Sequence, residues 1–217
     1  MKDKKLFQIE RIAFFSDAVF AIAITLLIIE VKAPVYDLTT TYAESIEQFL
    51  HLIPEFAAVL ISFTLIAMHW RRSHQLFGIL DDYDGWVIVL NLTVLAAVIF
   101  LPFSTSFIAK NYVRFTQQPL TLPFVVYSFN NLACAFCNWR LFRYALNPAN
   151  KLFNPGTTDV DPHRLVLEVG FAAIVFSVTT IVGWFSQYAA LPCFALFALE
   201  PLFIKWRLGT SATEPSP

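Results

Sequence analysis

The 217-residue chain is 57% hydrophobic and only 14% charged, with a mean hydropathy of +0.61. That leaves too little polar surface for a soluble domain of this size and reads as a membrane protein. Its formal net charge of −1 argues against a nucleic-acid partner, which would call for a basic stripe.

A bilayer core of about 30 Å takes roughly 20 mostly apolar residues per helix. On that scale the sequence divides into six predicted spans, 12–31, 54–70, 86–109, 122–139, 165–185 and 188–206. The first, "FFSDAVFAIAITLLIIEV", carries Asp17 near its start and Thr25 near its middle. A Lys-rich start before an apolar run also resembles a leader peptide. Its length, its early Ser16 and Asp17, and the lack of a small-x-small cleavage pattern after "IEVKAP" favour a span. The second span ends in "HWRRSHQLF" and the third contains "LPFSTSF". Asn130, Asn131 and Asn138 interrupt the fourth, which also holds Cys134 and Cys137. A C-x-x-C inside a membrane helix lacks the context of a redox motif and reads as small-residue packing. The connectors are Ala33-Pro34, the acidic run Asp81 to Asp84, Gln118-Pro119 and the loop from Asn147 to Pro162. Only Ser186 and Gln187 separate the last two spans, which predicts a tight antiparallel hairpin. Residues 1–209 then form one six-helix domain, and 210–217 are expected to be a disordered tail.

Lysine and arginine set the orientation, because cytoplasmic loops hold the excess of them. With the N-terminus inside, Lys2, Lys4, Lys5, Arg11, Arg71, Arg72, Arg140, Arg143, Lys151, Arg164, Lys205 and Arg207 are all cytoplasmic. Lys32, Lys110 and Arg114 fall outside. The split agrees with an even number of spans and puts both termini in the cytoplasm.

At 100° per residue, Phe15, Ile22, Thr25, Leu26 and Ile29 share about a third of the first helix, the spacing of a helix that packs against copies of itself. Asp17 points about 120° away from Ile22. A carboxylate in hydrocarbon costs about 2.5–3.5 kcal/mol on insertion scales, so it needs a partner. The candidates at its depth are His69, Trp70, Arg71, Arg72 and His74, which makes Asp17 a clasp between helices. Arg11, on another face, suits a neighbouring subunit or a lipid phosphate. Thr25 has two readings: a back-bond to its own helix, or one of a ring of hydroxyls around a symmetry axis.

"RIAFFSDAVFAIAITLLIIEV", with Arg11, Phe15, Ser16 and Asp17 as R-x-x-x-F-S-D, resembles the signature of the transmembrane protein 175 potassium channels. Trp70 and His74 followed by "QLF" resemble that family's Trp-x-x-x-His segment, and "LPFSTSF" is similar but less diagnostic. The resemblance implies a potassium-selective channel without a T-V-G-Y-G filter, and none occurs here. Animal members carry two six-helix repeats and dimerise; prokaryotic ones carry one and assemble as homotetramers with the first helix lining the pore. A single repeat implies the prokaryotic type in a plasma membrane, an all-α fold with no cofactor and with K+ as the permeant ion. Carried over by position, Ile22, Leu26 and Ile29 resemble the hydrophobic constriction and Thr25 its polar layer. Phe15, Ser16 and Asp17 resemble the network that braces the pore helix against Trp70 and His74.

Carboxylates at the outer mouth, Glu30 and Asp37, would concentrate cations, although Glu30 reads equally as an ordinary interfacial charge. The rival reading is a proton channel or proton-coupled transporter built on Asp17, His69 and His74. An enzyme is not expected: His51, His69, His74 and His163 form no metal or nucleophile motif.

Overall fold

The computed structural model describes residues 2–111, 121–153 and 161–209. Arg114, the Gln118-Pro119 connector, positions 154–160 of the long loop and the 210–217 tail lie outside the described residues, as do the side chains of Lys2, Lys4 and Lys5. Among the described residues all regular structure is helical: α1 (Lys2–Ile29), α2 (Tyr42–Leu50), α3 (Ile53–Ile79), α4 (Gly85–Ile99), α5 (Leu101–Lys110), α6 (Thr121–Ala145), a 3₁₀ turn (Pro148–Asn150), α7 (Pro162–Phe185), α8 (Gln187–Ala190), a longer 3₁₀ helix (Leu191–Leu199) and α9 (Glu200–Gly209). The six passes are α1, α3, α4 with α5, α6, α7, and α8 through α9. Five are long and apolar enough to cross a bilayer by length and composition. The exception is α6, which its asparagines and arginines make more polar and which packs in the middle of the bundle, against α3, α4, α5 and α7.

Helix boundaries depart from the hydropathy cuts for backbone reasons. The second span runs on past Trp70 to Ile79, because Ser73, Leu76 and Phe77 continue the buried face of α3 beyond the two arginines. It is preceded by α2, whose start is fixed by a capping box: the Thr41 hydroxyl accepts from the Glu44 amide, and Glu44 accepts from the Thr41 amide. The third span is broken at Phe100. Pro102 has no N–H for the Val98 carbonyl, so α4 closes with a short Phe100-to-Ala97 bond and α5 starts anew. The last pass carries Pro192 and Pro201, and the stretch between them tightens into the 3₁₀ helix. Between the last two spans only Ser186 is extended, and α8 forms the return. The two passes are antiparallel: Phe171 meets Phe203 at 5.0 Å between ring centroids, Phe176 meets Phe197 at 5.5 Å, and Gly183 lies beside Ala190.

One continuous core joins α1, α3, α4 and α6 through Phe20, Leu27, Ile66, Leu76, Val94 and Phe142. Lipid tails are as apolar as these side chains, so burial alone does not select the helix partners, and close packing with buried hydrogen bonds does. Loops at one end reinforce the bundle. The Leu152 carbonyl accepts from the amides of both Asp81 and Asp82, and the Tyr144 hydroxyl donates to Asp84, the N-cap of α4.

Candidate pore helix and its polar anchors

From Lys2 to Ile29 the chain has neither glycine nor proline and stays helical throughout. Its faces differ sharply. Ile9, Ser16, Phe20, Ala23 and Leu27 are buried against the rest of the protomer, whereas Phe15, Ile22, Leu26 and Ile29 are 54%, 59%, 41% and 67% exposed. Thr25 is exposed in the middle of that stripe. Its hydroxyl donates to the Ile22 carbonyl at 2.9 Å. With its one proton held there, the oxygen turns only acceptor lone pairs outward.

Two adjacent residues fasten α1 to two different helices. The indole Nε1–H of Trp70 on α3 donates to Asp17 Oδ1 at 2.8 Å. The amide of Asn91 on α4 donates to Ser16 Oγ at 2.8 Å, while the Ser16 hydroxyl donates to its own helix at Ile12. Residues 16 and 17 lie about 100° apart around the axis, so the pair fixes the rotation of α1 as well as its position. His74 lies beside Trp70 on α3, its ring tilted against the indole with centroids 5.8 Å apart, and so reaches the clasp through the indole. Arg11 is exposed and approaches only Gln8, at 3.5 Å, among the described residues. With Phe15 it lines a hollow of about 380 Å³ between α1 and α4, so neither joins the Asp17–Trp70 contact.

At the other end, Lys110 on α5 pairs with Glu30 at 3.3 Å. A hydrogen bond from the Ser106 hydroxyl, then the bond and charge of Lys110, hold the Glu30 carboxyl below its ordinary value of 4.5. Glu30 is therefore a tether between α1 and α5, with its charge partly compensated.

Two of the three asparagines of α6 have partners across the bundle. Asn130 donates to Ser104 Oγ on α5 at 3.0 Å, and Asn138 donates to His69 Nδ1 on α3 at 3.1 Å. An amide nitrogen only donates, so His69 accepts at Nδ1 and carries its proton at Nε2. Asn131 bonds within its own helix, to the Tyr127 carbonyl. A buried hydroxyl chain links α6, α3 and α5: Tyr127 lies 3.0 Å from Ser62, and Ser62 2.7 Å from Thr105. The Thr105 hydroxyl is the donor of that contact and also lies 2.7 Å from the Leu101 carbonyl, so its one proton is shared between Ser62 and its own helix. Asn91 and Ser62 carry no sequence signal beyond being polar inside an apolar window, and Thr105 carries only its place in "LPFSTSF" besides. Cys134 is buried and Cys137 half-buried, both free thiols.

The family model for the endosomal/lysosomal potassium channel TMEM175 matches residues 11–102, the segment that contains both α1 fastenings. A potassium channel of Chamaesiphon minutus is 30% identical over 193 residues, covering 88% of this chain and 93% of that protein. The chain belongs to the TMEM175 family. A second relative in it, a potassium channel of Streptomyces collinus, is 29% identical over 193 residues, 87% of this chain and 89% of that one. The fold is that of the crystal structure of a lysosomal potassium-selective channel TMEM175 homolog from Chamaesiphon minutus. That match has a TM-score of 0.73 at 28% identity and covers 91% of this chain and 98% of that one. The family is one of ion channels, not enzymes.

Proposed function

We propose that this protein conducts K+ passively through a pore enclosed by the α1 helices of a homotetramer, in a prokaryotic plasma membrane with both termini cytoplasmic. The observation that carries the reading is the α1 stripe. Exposed Ile and Leu alone would suit lipid, but an outward-facing Thr25 oxygen at the centre of an aliphatic strip, on a helix locked in rotation by its neighbours, suits an axis shared with other copies. Family membership and the bacterial potassium channels support the same reading.

In this pore Ile22, Leu26 and Ile29 form hydrophobic rings that hold water poorly and gate by dewetting. An ion passing them sheds part of its hydration shell. Potassium binds its water less tightly than sodium, so the same rings oppose sodium more. The ring of Thr25 side chains offers acceptor oxygens where the stripping occurs, and selectivity comes from unequal dehydration costs. Arg11, Phe15, Ser16, Asp17, Trp70 and His74 hold the pore helix: Ser16 and Asp17 through their bonds, Trp70 and His74 behind Asp17, Arg11 and Phe15 toward the next copy. Residues 1–209 act as one channel domain.

The test is ion flux in liposomes. Thr25→Ala and Ile22→Ala are each expected to lower the preference for K+ over Na+, and an unchanged preference in both removes the filter. Flux that follows an imposed proton gradient and ignores K+ would favour a proton pathway instead. Light scattering on the detergent-solubilised complex is expected to give four chains.

A further inference from the structure

The end of the bundle that carries Arg71 and Arg72 holds a cleft of about 810 Å³ between α3, α7 and α9. Four cations line it: Arg71 and Arg72 from α3, Arg164 from α7 and Lys205 from α9. The carboxylates within it are Glu168 and Glu200, so two positive charges remain uncompensated. Glu168 is committed to Arg164, whose Nε donates to it at 2.9 Å. Arg72 and Glu200 are a looser pair. Their charged atoms stand 3.7 Å apart, beyond hydrogen-bond distance, although the side chains are only 12% and 23% exposed. A guanidinium held largely out of water with most of its five N–H groups unspent is prepared for an anion that takes two at once.

We propose that this cleft binds the phosphate of an anionic phospholipid. Phosphate matches the planar fork of Arg72, and Arg71 and Lys205, which have no ion-pair partner among the described residues, add attraction at the rim. The volume falls within the range of about 300–1,000 Å³ usual for small-molecule sites, ample for a glycerophosphate group. The surroundings favour a lipid over a free anion. The site lies at the ends of membrane helices, where basic pockets meet headgroups, and α9 turns Leu202 and Trp206 outward, 64% and 63% exposed, where acyl chains can lie. No α1 residue takes part, so the site is independent of the pore reading.

The experiment uses the full chain in uncharged detergent and follows its thermal midpoint as phosphatidylglycerol, phosphatidylcholine or soluble glycerol phosphate is added. Phosphatidylglycerol is expected to raise the midpoint and the other two to leave it in place. Arg71→Gln with Lys205→Gln should raise the phosphatidylglycerol concentration needed at least tenfold, and a control pair, Arg140→Gln with Lys151→Gln, no more than about twofold. Both cations of the test pair are exposed, and the half-buried Arg72 is left intact for folding. Three results would overturn the proposal: an equal response in the test pair, an equal loss in the control pair, which would mean diffuse charge attraction, or glycerol phosphate matching the lipid. Native mass spectrometry of the unaltered protein gives an answer without variants: at least one phosphatidylglycerol retained per protomer supports the site, and none retained rules it out.

Discussion

Replacing Ser16 by alanine tests how the α1 helix is anchored. Ser16 and Asn91 are 1% and 2% exposed, so water cannot replace a bond lost between them. The Asn91 amide nitrogen spends its hydrogen bond on Ser16, and its carbonyl oxygen has no partner among the described residues. Ser16→Ala therefore leaves a wholly unpaired amide buried between α1 and α4. Stranding a buried polar group costs about 1–3 kcal/mol, but membrane-protein pairs measured by double-mutant cycles average about 0.6 kcal/mol and reach about 1.7 kcal/mol. The overlap sets the expectation at about 1–2 kcal/mol. Asn91→Leu strands far less, because the Ser16 hydroxyl keeps its proton on the Ile12 carbonyl and the unpartnered oxygen is gone. Leucine has the branching of asparagine, so the double variant, with both polar partners removed, should recover most of the loss. Reversible unfolding in mixed micelles, followed by tryptophan fluorescence, gives the three free energies. A Ser16→Ala variant as stable as the unaltered protein, or a double variant as unstable as the sum of its parts, would show that the Ser16–Asn91 bond does not anchor α1.

Asp17→Asn keeps an acceptor for the Trp70 indole but loses the charge. The yield of assembled protein should fall while K+ over Na+ preference in liposomes is kept; a selective loss of preference would move Asp17 into the pore. Gly183→Ala places a Cβ 2.5 Å from the ring of Phe124, a side chain only 4% exposed, so either the packed ring or the α6–α7 spacing must give. The expected cost, read by thermal melting, is about 1–3 kcal/mol, and an unshifted melt would mean that the ring swings away freely. Glu30 has its pKa lowered by Ser106 and Lys110, so its contribution to stability is complete above the ordinary carboxylate value and is lost as pH falls through the lowered one. Glu30→Gln should flatten that acid limb below pH 4.5, and an identical limb in both proteins would mean the tether carries no stability. The effect should be small, since both partners are more than a third exposed and solvent screens them.

Much of this architecture is legible in the sequence because a bilayer punishes the alternatives. An aspartate in an oily segment must find a donor, and few donors stand at its depth; of the five candidates, Trp70 is the one that donates to Asp17. The i, i+3, i+4, i+7 pattern of Ile22, Thr25, Leu26 and Ile29 marks a face that the protomer leaves uncovered. Hydropathy does poorly at helix ends, because it measures transfer into lipid whereas ends are set by backbone hydrogen bonds. Arg71 and Arg72 looked like the end of a span, yet the ladder does not stop at a charge and continues to Ile79. The break at Phe100 had its signal in Pro102, and the start of α2 had one in the T-x-x-E of Thr41 to Glu44; both concern N–H bookkeeping, to which an apolar window is blind.

The polar residues of the interior are a different case. Ser16 and Asn91 are 75 positions apart, His69 and Asn138 are 69 apart, and Ser104 and Asn130 are 26 apart, so no local pattern could pair them. Each is weakly informative alone, because a serine or asparagine in a membrane helix can bond its own backbone, as Asn131 does. What decides is register between helices, which depends on all the packing contacts at once. The same dependence gives these pairs their use. Between apolar helices in lipid, sliding or rotation is opposed only by side-chain packing, whereas a misaligned hydrogen bond strands two polar atoms in a medium that offers no substitute. Ser16 with Asn91 and Asp17 with Trp70 therefore do more to fix where Thr25 points than any contact Thr25 makes itself. The proposed pore, in which selectivity comes from the cost of dehydration at rings of α1 side chains, requires that kind of rotational precision.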